Sequence, residues 1–327
     1  MSSTLEHLKK HTIVVGDTGD FESMKQYLPV DSTTNPSLIL SACKLPQYSH
    51  LLDSAIQYAK KQKTLDEQVE TAVERICVLF GCEILKVVPG RVSTEVDAKY
   101  SFSINKQVET ARRLVAMYEE LGVSKERILI KLSSTWEGIK AGEILESKHG
   151  IHCNLTLMFS LYQAVACAEA KITLISPFVG RVLDWYTAKH GKKEFSRQDD
   201  PGVKLVTSIY NYYKAHDYKT QIMGASFRNV NQILGLTGCD LLTIAPSLLE
   251  ELSKMSEVPS VCLSVEKAKS PSVQHSHRPD HPLTEEEFRW YMNEDEMASD
   301  KLAEGIRRFA KDSTILADLI KSRIQQK

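Results

Sequence analysis

The segment ILIKLS (128–133) is a short aliphatic run that ends in a polar residue and contains one lysine, Lys131. Apolar runs of this length are typical of buried strands in parallel sheets. Side chains alternate along a strand, so Lys131 shares a face with Leu129, whereas Ile128 and Ile130 point to the other face. The segment therefore predicts a buried strand that carries a lysine.

Seven similar runs occur elsewhere in the chain, and the second and third of the eight have the least apolar content. They are TIVVGD (12–17), VDSTTN (30–35), GRVSTE (90–95), HCNLTL (152–157), ITLISP (172–177), QIMGAS (221–226) and LLTIAP (241–246). Helical patterns lie between them, with Gly81 and Gly122 as expected ends of the first two. These patterns cover 65–81, 104–122, 160–170, 203–215 and 228–237.

Eight strand-then-helix units predict a (β/α)8 barrel. The alternative is an open doubly wound sheet, which favours a glycine-rich phosphate loop that the sequence lacks. We expect a helical connection over 36–64 and a surface loop over 264–282. Thr284 and Glu287 have the spacing of a capping box that opens a helical region over 285–325. The chain is thus expected to form one barrel domain, 1–327, with a C-terminal helical extension from about 283.

The charge balance argues against nucleic-acid binding and against a polybasic membrane segment. Lys and Arg number 41, Asp and Glu number 42, and the formal net charge is -1. The seven cysteines form no C-x-x-C motif, which is typical of reduced thiols. No signal-peptide pattern or long apolar stretch is present, so we expect a cytoplasmic protein.

Polar side chains collect at the carboxyl ends of the expected strands, where barrel enzymes carry their chemistry. Arg181 and Arg228 follow the sixth and seventh strands directly. The candidates on the strands and at their ends are Asp17, Thr33, Asn35, Glu95, Lys131, Asn154, Thr156, Ser176 and Ser226.

Lysines are seldom buried without a partner, and a buried lysine readily loses its charge. Lys131 is therefore a candidate Schiff-base nucleophile, with Glu95 and Asp17 as candidate proton donors and acceptors. A structural ion pair or a solvated lysine remains the alternative.

Two arginines, each near a serine hydroxyl at a strand end, suit a phosphate group, although both arginines also fit surface positions. No metal-ligand motif occurs at the strand ends, and His275, His277 and His281 are interpreted as loop residues.

Six longer motifs, in the same order, resemble the transaldolases of the pentose phosphate pathway over nearly the whole chain. They are DSTTNPSLI (31–39), VPGRVSTEVDA (88–98), ILIKLSSTWEGI (128–139), CNLTLMFS (153–160), ISPFVGR (175–181) and MGASFRN (223–229). The resemblance implies a class I aldolase-type barrel that uses no metal or organic cofactor. It implies that Lys131 forms the Schiff base, that Glu95 and Thr156 hold a catalytic water, and that Asp17 is the acid/base at cleavage.

The resemblance also assigns the binding residues. Thr33, Asn35, Asn154 and Ser176 would line a dihydroxyacetone site, and Arg181, Ser226 and Arg228 would bind phosphate. The implied reaction moves a dihydroxyacetone unit from sedoheptulose 7-phosphate or fructose 6-phosphate to glyceraldehyde 3-phosphate or erythrose 4-phosphate. It also implies a homodimer.

Three alternatives stay open at this point. They are a fructose 6-phosphate aldolase-like lyase, a non-catalytic phosphosugar-binding barrel and a pyridoxal-phosphate barrel.

Overall fold

Eight parallel strands close into a barrel in which each strand pairs with the next and β8 pairs with β1. A computed structural model describes residues 2–191, 195–273 and 280–326 of the chain. The strands are β1 Ile13–Asp17, β2 Asp31–Thr33, β3 Val92–Glu95, β4 Ile128–Ser133, β5 Cys153–Met158, β6 Leu174–Pro177, β7 Gln221–Gly224 and β8 Leu241–Ile244. The predicted (β/α)8 barrel is confirmed, and so is each of its eight strands.

Helices surround the barrel and extend beyond its eight units. They are α1 Thr4–Leu8, α2 Pro36–Cys43, α3 Ser49–Ala59, α4 Leu65–Leu85, α5 Ile104–Glu120, α6 Trp136–Ile144, α7 Leu161–Glu169, α8 Val179–His190, α9 Pro201–Ala215, α10 Val230–Gly235, α11 Pro246–Lys254, α12 Val265–Ala268, α13 Glu285–Glu294 and α14 Glu296–Gln325. In the parts that the structure describes, no helix is long and apolar enough to span a membrane.

The strand faces divide the core into an inner and an outer part. Leu129 belongs to a small cluster inside the barrel, together with Val15, Leu174, Met223 and Leu241. Ile128 and Ile130 belong to the larger core between the sheet and the helices. The predicted alternation along β4 is therefore confirmed, and it places Lys131 on the inner face.

The predicted helix end at Gly81 is wrong, because α4 continues to Leu85. A methyl group at Gly81 would overlap the hydroxyl of Tyr118 on α5, which itself shares a 2.6 Å hydrogen bond with Thr94. Gly81 therefore lies within α4 and allows α5 to pack closely against it. Gly122, in contrast, follows the end of α5 and has φ +78°, as expected for a glycine that ends a helix.

The C-terminal region is helical as predicted, and Thr284 and Glu287 form the expected capping box of α13. The 30-residue α14 packs against α2, α4 and α8 and therefore crosses several elements of the barrel. The expected loop over 264–282 contains the short helix α12, while His275 and His277 lie outside the described residues.

We expect Gly81→Ala to lower the free energy of unfolding by about 1–3 kcal/mol, because the added methyl group overpacks the contact with Tyr118. Urea denaturation measures the change. The loss of stability caused by Gly81→Ala should be smaller in a Tyr118→Phe background, because Tyr118→Phe removes the hydroxyl oxygen nearest to the added methyl group. A variant more stable than the parent, as expected for a glycine in an open helix, would contradict this packing role.

Candidate active site

Lys131 lies on the inner face of β4 between a carbonyl group and a carboxylate. Its Nζ donates a 3.1 Å hydrogen bond to the backbone oxygen of Thr34 and lies 3.5 Å from Oε2 of Glu95. Strand register explains the pairing, because Glu95 of β3 is the direct neighbour of Lys131. The side chains of Lys131 and Glu95 are only 5% and 3% exposed. The predicted buried lysine and its acidic partner are therefore brought together.

The Glu95 carboxylate is short of hydrogen bonds. The 3.5 Å contact with Lys131 is an ion pair rather than a good hydrogen bond. Among the described residues, neither oxygen of Glu95 has a hydrogen-bond partner, and the Thr156 hydroxyl also has none. Burial raises the pKa of Glu95 to about 7, against the opposing effect of the Lys131 charge. A carboxyl group with this pKa can both give and take a proton near neutral pH.

Asp17 ends β1 on the same inner face. Its Oδ1 accepts a 2.9 Å hydrogen bond from Thr33, whose hydroxyl also lies 2.6 Å from that of Thr243. Burial raises the pKa of Asp17, while Lys131, Thr33 and Arg181 oppose the shift. Thr243 was not among the predicted site residues, although its place on the inner face of β8 follows from the strand alternation.

Asn154 of β5 forms side-chain hydrogen bonds to β3 and to β6. Its amide nitrogen donates to Ser93 at 3.0 Å, and its carbonyl oxygen accepts from Ser176 at 2.7 Å. Asn154 also pairs in register with Lys131. Asn35 has a second role, because its side chain caps α2 by accepting from the amide of Leu38.

Arg181 on α8 is largely buried beside two aromatic rings. Its guanidinium carbon lies 4.9 Å from the ring centre of Phe178 and 5.2 Å from that of Phe309. Burial, followed by the charges of Arg308 and Arg228, lowers the pKa of Arg181 to about 10. Within the described residues no carboxylate forms an ion pair with Arg181. An anion bound in the pocket would pair with Arg181 and offset the free-energy cost of burying its charge.

The second predicted phosphate pair, Ser226 and Arg228, lies beyond the end of its strand. β7 ends at Gly224, and Ser226 has a left-handed backbone with φ +60°, so the chain is not extended from Ser226 to Arg228. A contact still forms, because Nη1 of Arg228 donates to the carbonyl and hydroxyl oxygens of Ser226 at 3.2 and 3.4 Å. Arg228 is partly exposed and forms a bidentate ion pair with Asp184 on α8.

Most predicted residues converge on one pocket. It is lined by Asp17, Thr33, Asn35, Lys131, Ser176, Phe178, Arg181, Ala225, Ser226, Thr243 and Phe309. Four predicted residues do not line it, namely Glu95, Asn154, Thr156 and Arg228. Glu95 and Asn154 are the strand neighbours of Lys131, and Thr156 is the strand neighbour of Ser133. The side chains of these three residues are buried. Phe309 comes from α14, and no local signal in the sequence could have placed it here. Over the described ranges, no group of three potential metal ligands is present.

A closed barrel with a buried amine, two neighbouring carboxyl groups and a cationic end has the groups that Schiff-base chemistry on an anionic sugar needs. The family model described as transaldolase/fructose-6-phosphate aldolase matches residues 14–320. The chain therefore belongs to this family.

Relatives cover nearly the whole chain. The chain is 59% identical over 321 residues to a probable transaldolase of Drosophila melanogaster, covering 98% of this chain and 96% of the relative. It is 54% identical over 325 residues to the transaldolase of Homo sapiens, covering 99% and 95%. It is 54% identical over 326 residues to the transaldolase of Saccharomyces cerevisiae, covering 99% and 96%.

We expect the free energy of unfolding of Glu95→Gln, relative to that of the parent, to be higher at pH 8 than at pH 5. The folded pKa of about 7 exceeds the ordinary value of 4.5, so the folded parent binds more protons between these values. The stability of the parent therefore falls as pH rises through this window, by about 3 kcal/mol. Urea denaturation of both proteins across pH 4–9 measures the difference. An unchanged difference between pH 5 and pH 8 would contradict the burial of an unsatisfied carboxylate.

Proposed function

We propose that the chain is a transaldolase in which Lys131 forms a Schiff base with a ketose phosphate. The observation that carries this proposal is the Lys131 amine, which is buried beside Glu95 at the base of a pocket with a cationic end. A buried amine is a better nucleophile than a solvated ammonium group, provided that a neighbouring group accepts its proton.

Schiff-base formation requires both a proton acceptor and a proton donor. The Lys131 nitrogen attacks C2 of the ketose, and the resulting hydroxyl must leave as water. Glu95 is placed to supply that proton, directly or through a water held by Thr156, since both side chains carry unsatisfied oxygens. Its pKa of about 7 suits both directions of transfer.

Carbon–carbon cleavage needs a base at the C4 hydroxyl. Asp17 lines the same pocket as Lys131 and is oriented by the Thr33 hydroxyl. We assign to Asp17 the C4 hydroxyl proton as the C3–C4 bond breaks and the electron pair moves to the protonated imine. An aldose phosphate leaves, and a three-carbon enamine stays on Lys131.

Retention of that enamine distinguishes a transferase from a lyase. Thr33, Asn35 and Ser176 line the pocket and offer hydroxyl and amide groups to the three-carbon unit. Asn154 holds the Ser176 hydroxyl in place. Retention until an aldose phosphate arrives would complete the transfer, and the near full-length transaldolase relatives favour this reaction over a lyase.

Arg181, Arg228 and Ser226 form the proposed phosphate site. Arg181 is a half-buried cation without an ion-pair partner among the described residues, and it lines the pocket. Arg228 is held near Ser226 but is already paired with Asp184, so a phosphate must share or replace that partner. Binding of the remote phosphate would orient the reacting carbons at Lys131.

Three further proposals concern the domain organisation, the oligomeric state and the cellular location of the chain. We infer a single barrel domain that includes the C-terminal helices, because α14 supplies Phe309 to the pocket. We also propose a homodimer, by analogy with the family, and a cytoplasmic location, in keeping with seven cysteines that are all free thiols.

The direct test of this function is trapping with borohydride. Incubation with fructose 6-phosphate and borohydride should leave a reduced three-carbon adduct on Lys131, which peptide mass spectrometry locates. Addition of erythrose 4-phosphate before borohydride should remove the adduct. The matched control is Lys131→Met, which should show no adduct and no turnover. Adduct on another lysine, or transfer by Lys131→Met, would refute the assignment.

We expect Arg228→Ala to raise KM for fructose 6-phosphate by about 10- to 100-fold, because a charge-assisted hydrogen bond to phosphate is lost. Unphosphorylated fructose should be affected little. Steady-state kinetics with both donors provide the comparison, and Arg307→Ala on the exposed face of α14 is the control. Equal losses for both donors would argue against a phosphate role.

A further inference from the structure

A second cavity reaches Glu95 without being lined by Lys131. This cavity, called the side chamber, is lined at its inner end by Thr34, Asn35 and Glu95 and farther out by residues of α4, α5 and α14. Its volume is about 330 Å³, whereas one water needs roughly 10–15 Å³. Lys131 instead lines the substrate pocket. The ion pair between Lys131 and Glu95 therefore lies at the boundary between the two cavities.

The ladder between β2 and β3 stops short of Glu95. The ladder between β2 and β3 pairs Ser32 with Val92 and Thr33 with Ser93, and ends two residues before Glu95. On its other side, Glu95 pairs with Lys131 in the ladder between β3 and β4. The side chamber therefore lies against Glu95 where the ladder between β2 and β3 ends, while the two carboxylate oxygens are themselves covered.

The side chamber extends to the protein surface. Val69, Val73 and Cys77 are spaced four residues apart on α4 and form one half-buried stripe along its wall. At the outer end, the side chains of Asp66 and Lys321 are 93% and 45% exposed. The lining therefore runs from the protein surface to the residue Glu95, whose side chain is only 3% exposed.

The charges of the side chamber disfavour sugar phosphates. Six carboxylates line it, against two lysines, Lys99 and Lys321. The carboxylates are Asp66, Glu70, Glu74, Glu95, Asp97 and Asp318. An anionic substrate is repelled by such a lining, whereas water is not. The only strongly unsatisfied polar group at its inner end is the Glu95 carboxylate, among the residues that the structure describes.

We propose that the side chamber is the path by which water reaches and leaves Glu95 while a sugar phosphate fills the substrate pocket. The proposal rests on the proposed Schiff-base function. As the C2–N bond becomes a C=N bond, the C2–O bond breaks, and the hydroxyl takes a proton and leaves as water. Hydrolysis of the imine returns one water to the same carbon. Lys131 lines the substrate pocket, so a sugar bound to Lys131 occupies that route.

The test follows the oxygen atom that leaves C2. Fructose 6-phosphate labelled with ¹⁸O at C2 is incubated with the enzyme, and mass spectrometry measures the label left in recovered substrate, after subtraction of an enzyme-free blank. Label loss is divided by the rate of dihydroxyacetone transfer to erythrose 4-phosphate, measured in parallel. This ratio reports how often the released water escapes before it returns.

Val73→Phe narrows the side chamber and should lower the ratio several-fold, because trapped water returns to the imine. Val73→Ala widens the chamber and should leave the ratio unchanged or higher. Leu79→Phe also places a phenyl ring on α4, at a half-buried residue outside the chamber lining, so it should match the parent. Val69→Phe repeats the test one turn closer to solvent if Val73→Phe does not fold.

The outcomes separate this proposal from the proposed function. A borohydride adduct on Lys131 with an unchanged ratio in the folded phenylalanine variants would overturn the water path and leave the Schiff base intact. Absence of the adduct in the parent would overturn the proposed function itself. A lowered ratio in Val73→Phe but not in Leu79→Phe supports the path.

Discussion

The contact between Lys131 and Glu95 is the constraint around which the site is arranged. Two ionisable groups are held 3.5 Å apart with almost no exposure to solvent. Removing both from water is costly, and their mutual attraction offsets this only in part. The raised pKa of Glu95 is the visible result of that imbalance. At that pKa the Glu95 carboxyl group can donate or accept a proton near neutral pH.

The barrel makes this contact possible by separating its inner face into layers. A cluster of buried apolar residues fills the barrel interior below the polar groups, so these polar groups pack against apolar side chains. Register between adjacent strands then places Glu95, Lys131 and Asn154 side by side. Asp17 and Thr33 are aligned in the same manner at the junction of β1 and β2. Fixed backbone positions hold the reacting groups without reorganisation during the reaction.

The cationic end of the pocket depends on contacts between distant segments. Arg181 lies near Phe178, which precedes α8, and near Phe309 of the C-terminal helix α14. Gly305 permits that approach, because a side chain there would press on Leu157. Asp184 meanwhile holds Arg228 in a bidentate ion pair. The positions of both arginines are therefore set by contacts between segments that lie far apart in the chain.

The sequence by itself determined the eight strands, the inward direction of Lys131 and the polar residues at the strand ends, because alternation and strand length are local properties. It misplaced the end of α4 at Gly81, since the reason for that glycine is the hydroxyl of Tyr118 on another helix. It also missed Phe309 and Asp184, and it assigned no role to Thr243. Only the tertiary structure decided the left-handed turn at Ser226, the partner of Arg228 and the point at which the ladder between β2 and β3 ends before Glu95. Each of these depends on contacts between residues far apart in the chain, which no local pattern encodes.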